Sequence, residues 1–323
     1  MELVFVLLLV ASLGGLAVAQ LLSASNRQER TSWSLYKSNF GKSYTSIKED
    51  SMRRAIYFRN KANFERHNKR NSSSYRKGVN QFSDLTEAEL SELGAQHTYF
   101  TLAPPLIKSK GLEKHQRKGG TGNEAFDWRS VKGRVGWPPK SVGKCDASWA
   151  FATTGLLEGQ QAALNITRGE NVVISLSEQQ LIDCSAETDS CRGGSVVDAL
   201  VSVKQSEGIN SEQTYPYAAK RRADCDFDGT KVVMSIRKIV ANSISERQLM
   251  RLVSIYGPVA IGFYATKEFY YYSGGVLLDG SCPKDGSINR YGLVVGYGTD
   301  SATGLDFWIV VSSKRLILVL SLP

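Results

Sequence analysis

Between Ser32 and about Leu93 the chain is rich in helix formers and nearly free of proline, which predicts helix. Within it Glu49, Arg53, Tyr57, Asn60, Phe64 and Asn68 follow at steps of 4, 4, 3, 4 and 4, so all six lie on one stripe of a single helix. Such a stripe buries Tyr57 and Phe64 and lets Glu49 pair with Arg53 one turn on. Next, Gly78, Asn80, Phe82 and Asp84 alternate, as in a strand or an extended turn. Asp84 or Thr86 is then available to cap a helix from Glu87 to Leu93.

From about Phe100 to Gly122 the composition shifts to Pro104-Pro105, lysine and glycine, which is that of a linker and a place for processing. Beyond it, Trp149 to Leu164 is apolar and small at helical spacing, and Glu178 to Cys184 reads as a second helix capped by Ser175 or Ser177. The remainder alternates. Val232 to Val240, Val259 to Tyr264, Leu293 to Tyr297 and Phe307 to Val311 read as strands separated by glycine. Helices first and strands later predict an α+β fold with two subdomains.

Composition changes this picture in three ways. An apolar run from Leu3 to Val10, followed by small residues ending Ala17-Val18-Ala19, reads as a secretory signal over residues 1–19 and is too short to span a membrane. Export would oxidise most of the five cysteines, Cys145, Cys184, Cys191, Cys225 and Cys282, and the odd number leaves one over. Asn71 and Asn165 head sequons that would accept glycans on that route. The net charge of +9 is spread thinly except from Arg53 to Lys77, where basic residues share a helical pattern with aromatics. That is a solvated helix face; no nucleic-acid-binding module accompanies it.

The stripe from Glu49 to Asn68 resembles the E-x3-R-x3-F/W/Y-x2-N-x3-I-x3-N signature of papain-like cysteine protease prodomains, with Phe64 in the isoleucine position. Gly78-x-Asn80-x-Phe82-x-Asp84 resembles the second prodomain motif in full. The likeness continues through Phe126-Asp127-Trp128-Arg129, Gly143 to Phe151, Leu156 to Gln160, Leu176 to Cys184, Cys191-Arg192-Gly193-Gly194, Tyr215-Pro216-Tyr217, Gly257-Pro258-Val259 and Leu293 to Gly298. The chain thus resembles a preproprotein of the cathepsin L type. The resemblance implies a helical left subdomain and a β-barrel-like right subdomain with a cleft between them, preceded by a helical inhibitor-type propeptide. It implies a division into a signal over 1–19, propeptide and linker over 20–122 and a peptidase domain over 123–323. It further implies disulfides Cys145–Cys191 and Cys184–Cys225, with Cys282 left unpaired.

The same resemblance locates the catalytic positions. A papain-like site needs a thiolate, a histidine to share its proton, an asparagine to orient that histidine and a glutamine at the oxyanion. Here the nucleophile position holds Ser148, the histidine position Arg290, the asparagine position Ser312 and the oxyanion position Val142. A serine alone is no bar to hydrolysis, but arginine is protonated at every physiological pH and has no acceptor lone pair. Losing the general base costs about 10²- to 10⁴-fold and losing an oxyanion donor about 10²- to 10³-fold more. His67, His97 and His115 all precede the peptidase domain, which therefore contains no histidine. Asp146 and Glu158 read as surface or structural carboxylates rather than substitute bases.

The expectation is a catalytically inactive homologue that needs no cofactor or metal. Gly193 and Gly194 match a backbone strip that pairs with extended peptides, with Ser195 and Val196 beside the pocket for the substrate's second residue. Expected partners are therefore peptide segments, the chain's own propeptide or other cysteine proteases, in a lysosomal or extracellular setting, with Arg290 favouring acidic ligands. The alternatives are a hydrolase using Ser148 and a propeptide that inhibits cysteine proteases in trans. After Ser313 the family pattern ends, and Leu316 to Pro323 reads as a truncated or mis-spliced reading frame; a genuine tail of this kind leaves the right subdomain short and an aggregation-prone segment exposed.

Overall fold

A computed structural model describes residues 27–70, 72–95, 125–131, 142–143, 145–168, 174–186, 188–240, 244–283, 287–313 and 315–321. The signal, the linker over 100–122 and Asn71 lie outside these residues. Among the described residues no helix is long and apolar enough to cross a membrane. The chain packs as two compact units, one holding residues up to 64 together with 79–86, the other 65–78 and everything from 87 onward.

In the first unit, helix α1 (27–40) ends at Gly41, whose φ of +59° is a left-handed conformation that glycine adopts without strain. Helix α2 (Ile47–Asn68) follows. The predicted stripe is real: Tyr57, Asn60 and Phe64 are buried, and Tyr57 stacks into a cluster with Trp33 and Tyr36, the Tyr36 and Tyr57 ring centroids 4.5 Å apart. Asn60 donates to the carbonyls of Ser83 and Leu85 at 3.0 Å each, and Arg53 to that of Asp84 at 3.2 Å. The segment from Asn80 to Asp84 is a turn rather than a strand, closed by hydrogen bonds from Phe82 and Asn80 backbone amides to the Asn80 and Ser83 side chains. Asp84 caps no helix. Its buried carboxylate accepts from Tyr36 (2.6 Å), Tyr44 (2.8 Å) and Lys42 (2.9 Å), stronger charge-assisted partners than a helix terminus offers.

The second unit begins with the C-terminal end of α2 and the chain that follows it. Asn68 exchanges hydrogen bonds with the backbone of Lys77, at 2.7 and 2.9 Å, which sets strand β1 (Tyr75–Lys77); helix α3 (Glu87–Ala95) comes after. Then come β2 (Phe126–Asp127), α4 (Ser148–Arg168), α5 (Glu178–Cys184) and α6 (Val196–Gln205). Ser177 is the cap of α5, accepting from Gln180 N at 3.0 Å. The helices enclose a core of Trp149, Leu176, Leu181, Ile182, Ala199 and Val203. Two disulfides, Cys145–Cys191 and Cys184–Cys225, tie the loops around it, and Cys282 is an exposed free thiol.

The strand-rich part contains β3 (Ile209–Asn210) paired with β4 (Val232–Met234), then α7 (Glu246–Tyr256), β5 (Val259–Phe263), α8 (Lys267–Tyr271) and β6 (Tyr272–Gly275). Strand β4 occupies only the start of the predicted Val232 to Val240 segment. The main sheet is antiparallel: β7 (Arg290–Thr299) carries β5 and β2 along one edge and β8 (Asp306–Ser312) along the other. The expected barrel-like subdomain is an open five-stranded sheet among the described residues. The apolar tail is also different from expectation. Residues Arg315–Ser321 form β9, in register with β8 from Phe307↔Ser321 to Ser312↔Arg315, so this segment is hydrogen-bonded into the sheet. A run of β-favouring residues next to a strand with an open edge gains ladder hydrogen bonds that a loose tail forgoes.

Candidate active-site cleft

Ser148 opens helix α4 just after Cys145, whose disulfide to Cys191 anchors the approach. Trp149 donates its indole N–H to the Ser190 carbonyl at 3.1 Å and lies flat against Gly194, where a Cβ would fall 2.5 Å from the ring. Gly193 has a φ of +146°, so both glycines are required where they stand. Ser195 caps α6, accepting from Val197 N at 3.1 Å, and Val196 is buried against the helical core. Val142 is buried, its carbonyl accepting from the Tyr217 hydroxyl at 2.8 Å.

On the facing side, Asn289 grips Ala265 through both its backbone groups, accepting from the amide at 2.6 Å and donating to the carbonyl at 3.1 Å. This clamp sets the start of β7. Arg290 there is only 1 % exposed, ion-paired with Asp146, and donates through Nε and Nη2 to the Tyr270 hydroxyl at 3.3 and 3.1 Å. Burial pushes the Tyr270 phenol pKa up, against the downward pull of Arg290. The next residue, Tyr291, donates its amide N–H to Ser148 Oγ at 3.3 Å. Ser312 is buried at the end of β8.

The fold therefore brings Ser148, Arg290 and Asp146 into one neighbourhood. Arg290 does not offer a positive charge to acidic ligands, as expected from sequence: it is sealed from water and matched by Asp146. Glu158 is likewise structural, accepting from Leu176 N at 2.7 Å. The role of Asp146 as counter-charge was not foreseen. A signal for it existed, because the papain/cathepsin motif C-G-[SA]-C-[WY] has glycine where Cys145-Asp146-Ala147-Ser148-Trp149 has an acid. Asn165, one of the two sequon asparagines, is buried in α4 and accepts from Gln161 at 2.7 Å.

Away from the cleft, β1 pairs antiparallel with β6, and Gly78 N donates to the Tyr271 carbonyl at 2.9 Å. Tyr75 Oη and Lys77 Nζ both reach Glu268 Oε2 at 2.5 Å, and Lys267 pairs with Glu87 of α3 at 2.9 Å. The prosegment pieces of this unit are thus docked on α8 and β6.

A helical core, an antiparallel sheet and a docked prosegment define a procathepsin-type architecture. The papain family cysteine protease model matches residues 122–314 and the cathepsin propeptide inhibitor domain model residues 33–90. The chain belongs to the papain family. It is 35% identical over 292 residues to digestive cysteine proteinase 2 of Homarus americanus, covering 87% of this chain and 84% of that one. It is 31% identical to cathepsin L of Sarcophaga peregrina, over 94% of this chain and 89% of that one. Among solved structures, digestive procathepsin L2 of Tenebrio molitor superposes with a TM-score of 0.78 at 30% identity, covering 91% of this chain and 94% of the other.

Proposed function

We propose that this chain is a non-catalytic, cathepsin L-like member of the papain family, with Val142, Ser148, Arg290 and Ser312 standing at the oxyanion, nucleophile, base and orienting positions. The observation that carries this reading is the buried Arg290–Asp146 pair beside Ser148. A guanidinium has donors only, so it cannot remove the Ser148 proton. The Ser148 oxygen is itself an acceptor for the Tyr291 amide. Asp146 is turned to Arg290, and residues 116–323 contain no histidine. A hydrolase working through Ser148 would have no histidine to activate its hydroxyl and would find the Asp146 carboxylate already paired with Arg290.

Without a general base the chain does not release its own propeptide, so its resting form keeps residues 20–122 covalently joined to the peptidase domain of 123–323 unless another protease cuts the linker. The contacts of Tyr75 and Lys77 with Glu268 support this. Two disulfides and the signal-like residues 1–19 support passage through the secretory pathway to a lysosomal or extracellular destination. A second reading is favoured by the propeptide match at residues 33–90: that segment acts in trans on active cysteine proteases.

The test is hydrolysis of a fluorogenic cathepsin L substrate by the prosegment-free protein across about pH 4 to 7, with Ser148→Ala as control. The expected rate is that of buffer alone in both. Turnover abolished by Ser148→Ala would overturn the non-catalytic reading, and inhibition of an active cathepsin by residues 33–90 alone would establish the second one.

A further inference from the structure

The basic residues between Arg53 and Lys77 do not all stay on one solvated helix face. Within the second unit they divide at the end of α2. Lys77 turns inward with Tyr75 to Glu268. Arg76, between them, turns back and donates to the carbonyl of Asn68, the last residue of α2, so its guanidinium rests on the peptide that leads to Lys69. The backbone there is fixed. Lys69 N donates to the Glu65 carbonyl and Arg70 N to that of His67, each at 3.1 Å, while the Asn68 side chain holds both backbone groups of Lys77. Lys69, Arg70 and Arg76 are exposed, as is Arg66 one turn before Arg70. A helix C-terminus favours cations, but Arg76 already meets that need. Among the described residues neither Lys69 nor Arg70 is ion-paired, and Glu65 is the only acidic residue from 65 to 77.

We propose that Lys69, Arg70 and Arg76 form a binding surface for a sulfated polysaccharide. Cations gathered at a fixed helix end repel one another, and an extended polyanion with closely spaced sulfates relieves that repulsion at each contact while releasing its own counterions. The forked guanidinium groups of Arg70 and Arg76 match the oxygens of a sulfate as they match those of a phosphate. The stretch from 65 to 77 carries no aliphatic side chain, and its one aromatic, Tyr75, is engaged by Glu268, so it has nothing to insert into a lipid surface. The choice of a sulfated chain over a nucleic acid rests on the secretory route proposed above; the patch itself does not.

The experiment is fluorescence polarisation of a labelled heparin octasaccharide, titrated with the full chain at about 0.05 M and about 0.15 M NaCl. All chains carry Asn71→Gln, so that no glycan is attached next to Arg70. Lys69→Gln/Arg70→Gln/Arg76→Gln is expected to weaken binding about ten-fold or more and to flatten its salt dependence. Arg237→Gln/Lys238→Gln/Arg247→Gln removes the same charge from other exposed positions and is expected to change binding less than about two-fold. Equal losses from the two triple variants would make the binding a matter of net charge and overturn the proposal, as would no binding by the parent chain or undiminished binding by the first triple. Tighter binding by the parent chain to phosphatidylserine-containing vesicles or to a single-stranded DNA octamer would overturn it too. Should Arg76→Gln loosen β1, seen as faster amide exchange at Tyr75 to Lys77, Lys69→Gln/Arg70→Gln is scored alone: a loss of about three-fold or more is expected, and no loss overturns the proposal. Confinement of the chain to the cytosol would sink the secretory route without altering the measured affinity.

Discussion

Arg290 and Asp146 form an ion pair whose side chains are 1 % and 9 % exposed, joining the first residue of β7 to the loop that leads into α4. Two residues 144 positions apart in sequence neutralise each other beside Ser148. Buried pairs of this kind add little over a well-packed apolar pair, yet removing one member leaves a charge with no match. Arg290→Ala and Asp146→Ala are therefore each expected to lose about 3–5 kcal/mol, and the double variant clearly less than the sum. Denaturant unfolding of the four chains gives the coupling energy. Additive losses would mean the two charges do not depend on one another.

Acid should loosen the first unit through Asp84. Burial works to raise the Asp84 pKa, but hydrogen bonds from Tyr36, Lys42 and Tyr44, with the Lys42 charge, outweigh it and hold the carboxyl below its ordinary range. A depressed folded-state value means the stabilisation is complete above the unfolded-state pKa of about 4 and drains away as pH falls through the lower folded value. Hydrogen exchange at residues 50–64 is expected to accelerate steeply below about pH 4. Asp84→Asn should cost about 1–3 kcal/mol at neutral pH and flatten that acid limb. An unchanged limb would assign the acid sensitivity to other carboxylates.

Glu268 gathers two prosegment contacts on one oxygen, with its side chain 14 % exposed. Glu268→Ala is expected to cost about 1–3 kcal/mol of docking and to speed amide exchange across Tyr75 to Gly78. Lys267→Ala, which breaks a pair 48 % and 72 % exposed, should cost under about 1 kcal/mol. Equal effects from the two variants would count against Glu268 as the anchor.

Much of this was legible in the residue order. The stripe from Glu49 to Asn68 could be read because helical periodicity is local, and the two disulfides came with the family motifs that contain their cysteines. That Arg290 stands at the histidine position is what the family resemblance implies, and the chemistry of arginine adds only that such a side chain accepts no proton. The pairing of the tail is not legible there: Leu316 to Leu322 fits no family motif, and only the open edge of β8 gives residues 315–321 a partner.

What the sequence determined by itself is whatever depends on near neighbours along the chain: helices α2, α4 and α5, the Ser177 cap and the absence of histidine after residue 115. What the tertiary structure decided is where charges and rings go once distant segments meet. Asp84 reads as a helix cap until Tyr36, Tyr44 and Lys42 surround it. Arg290 reads as a charge in a cleft until Asp146 and Tyr270 close over it. Long-range electrostatics and packing act between residues that local pattern cannot pair.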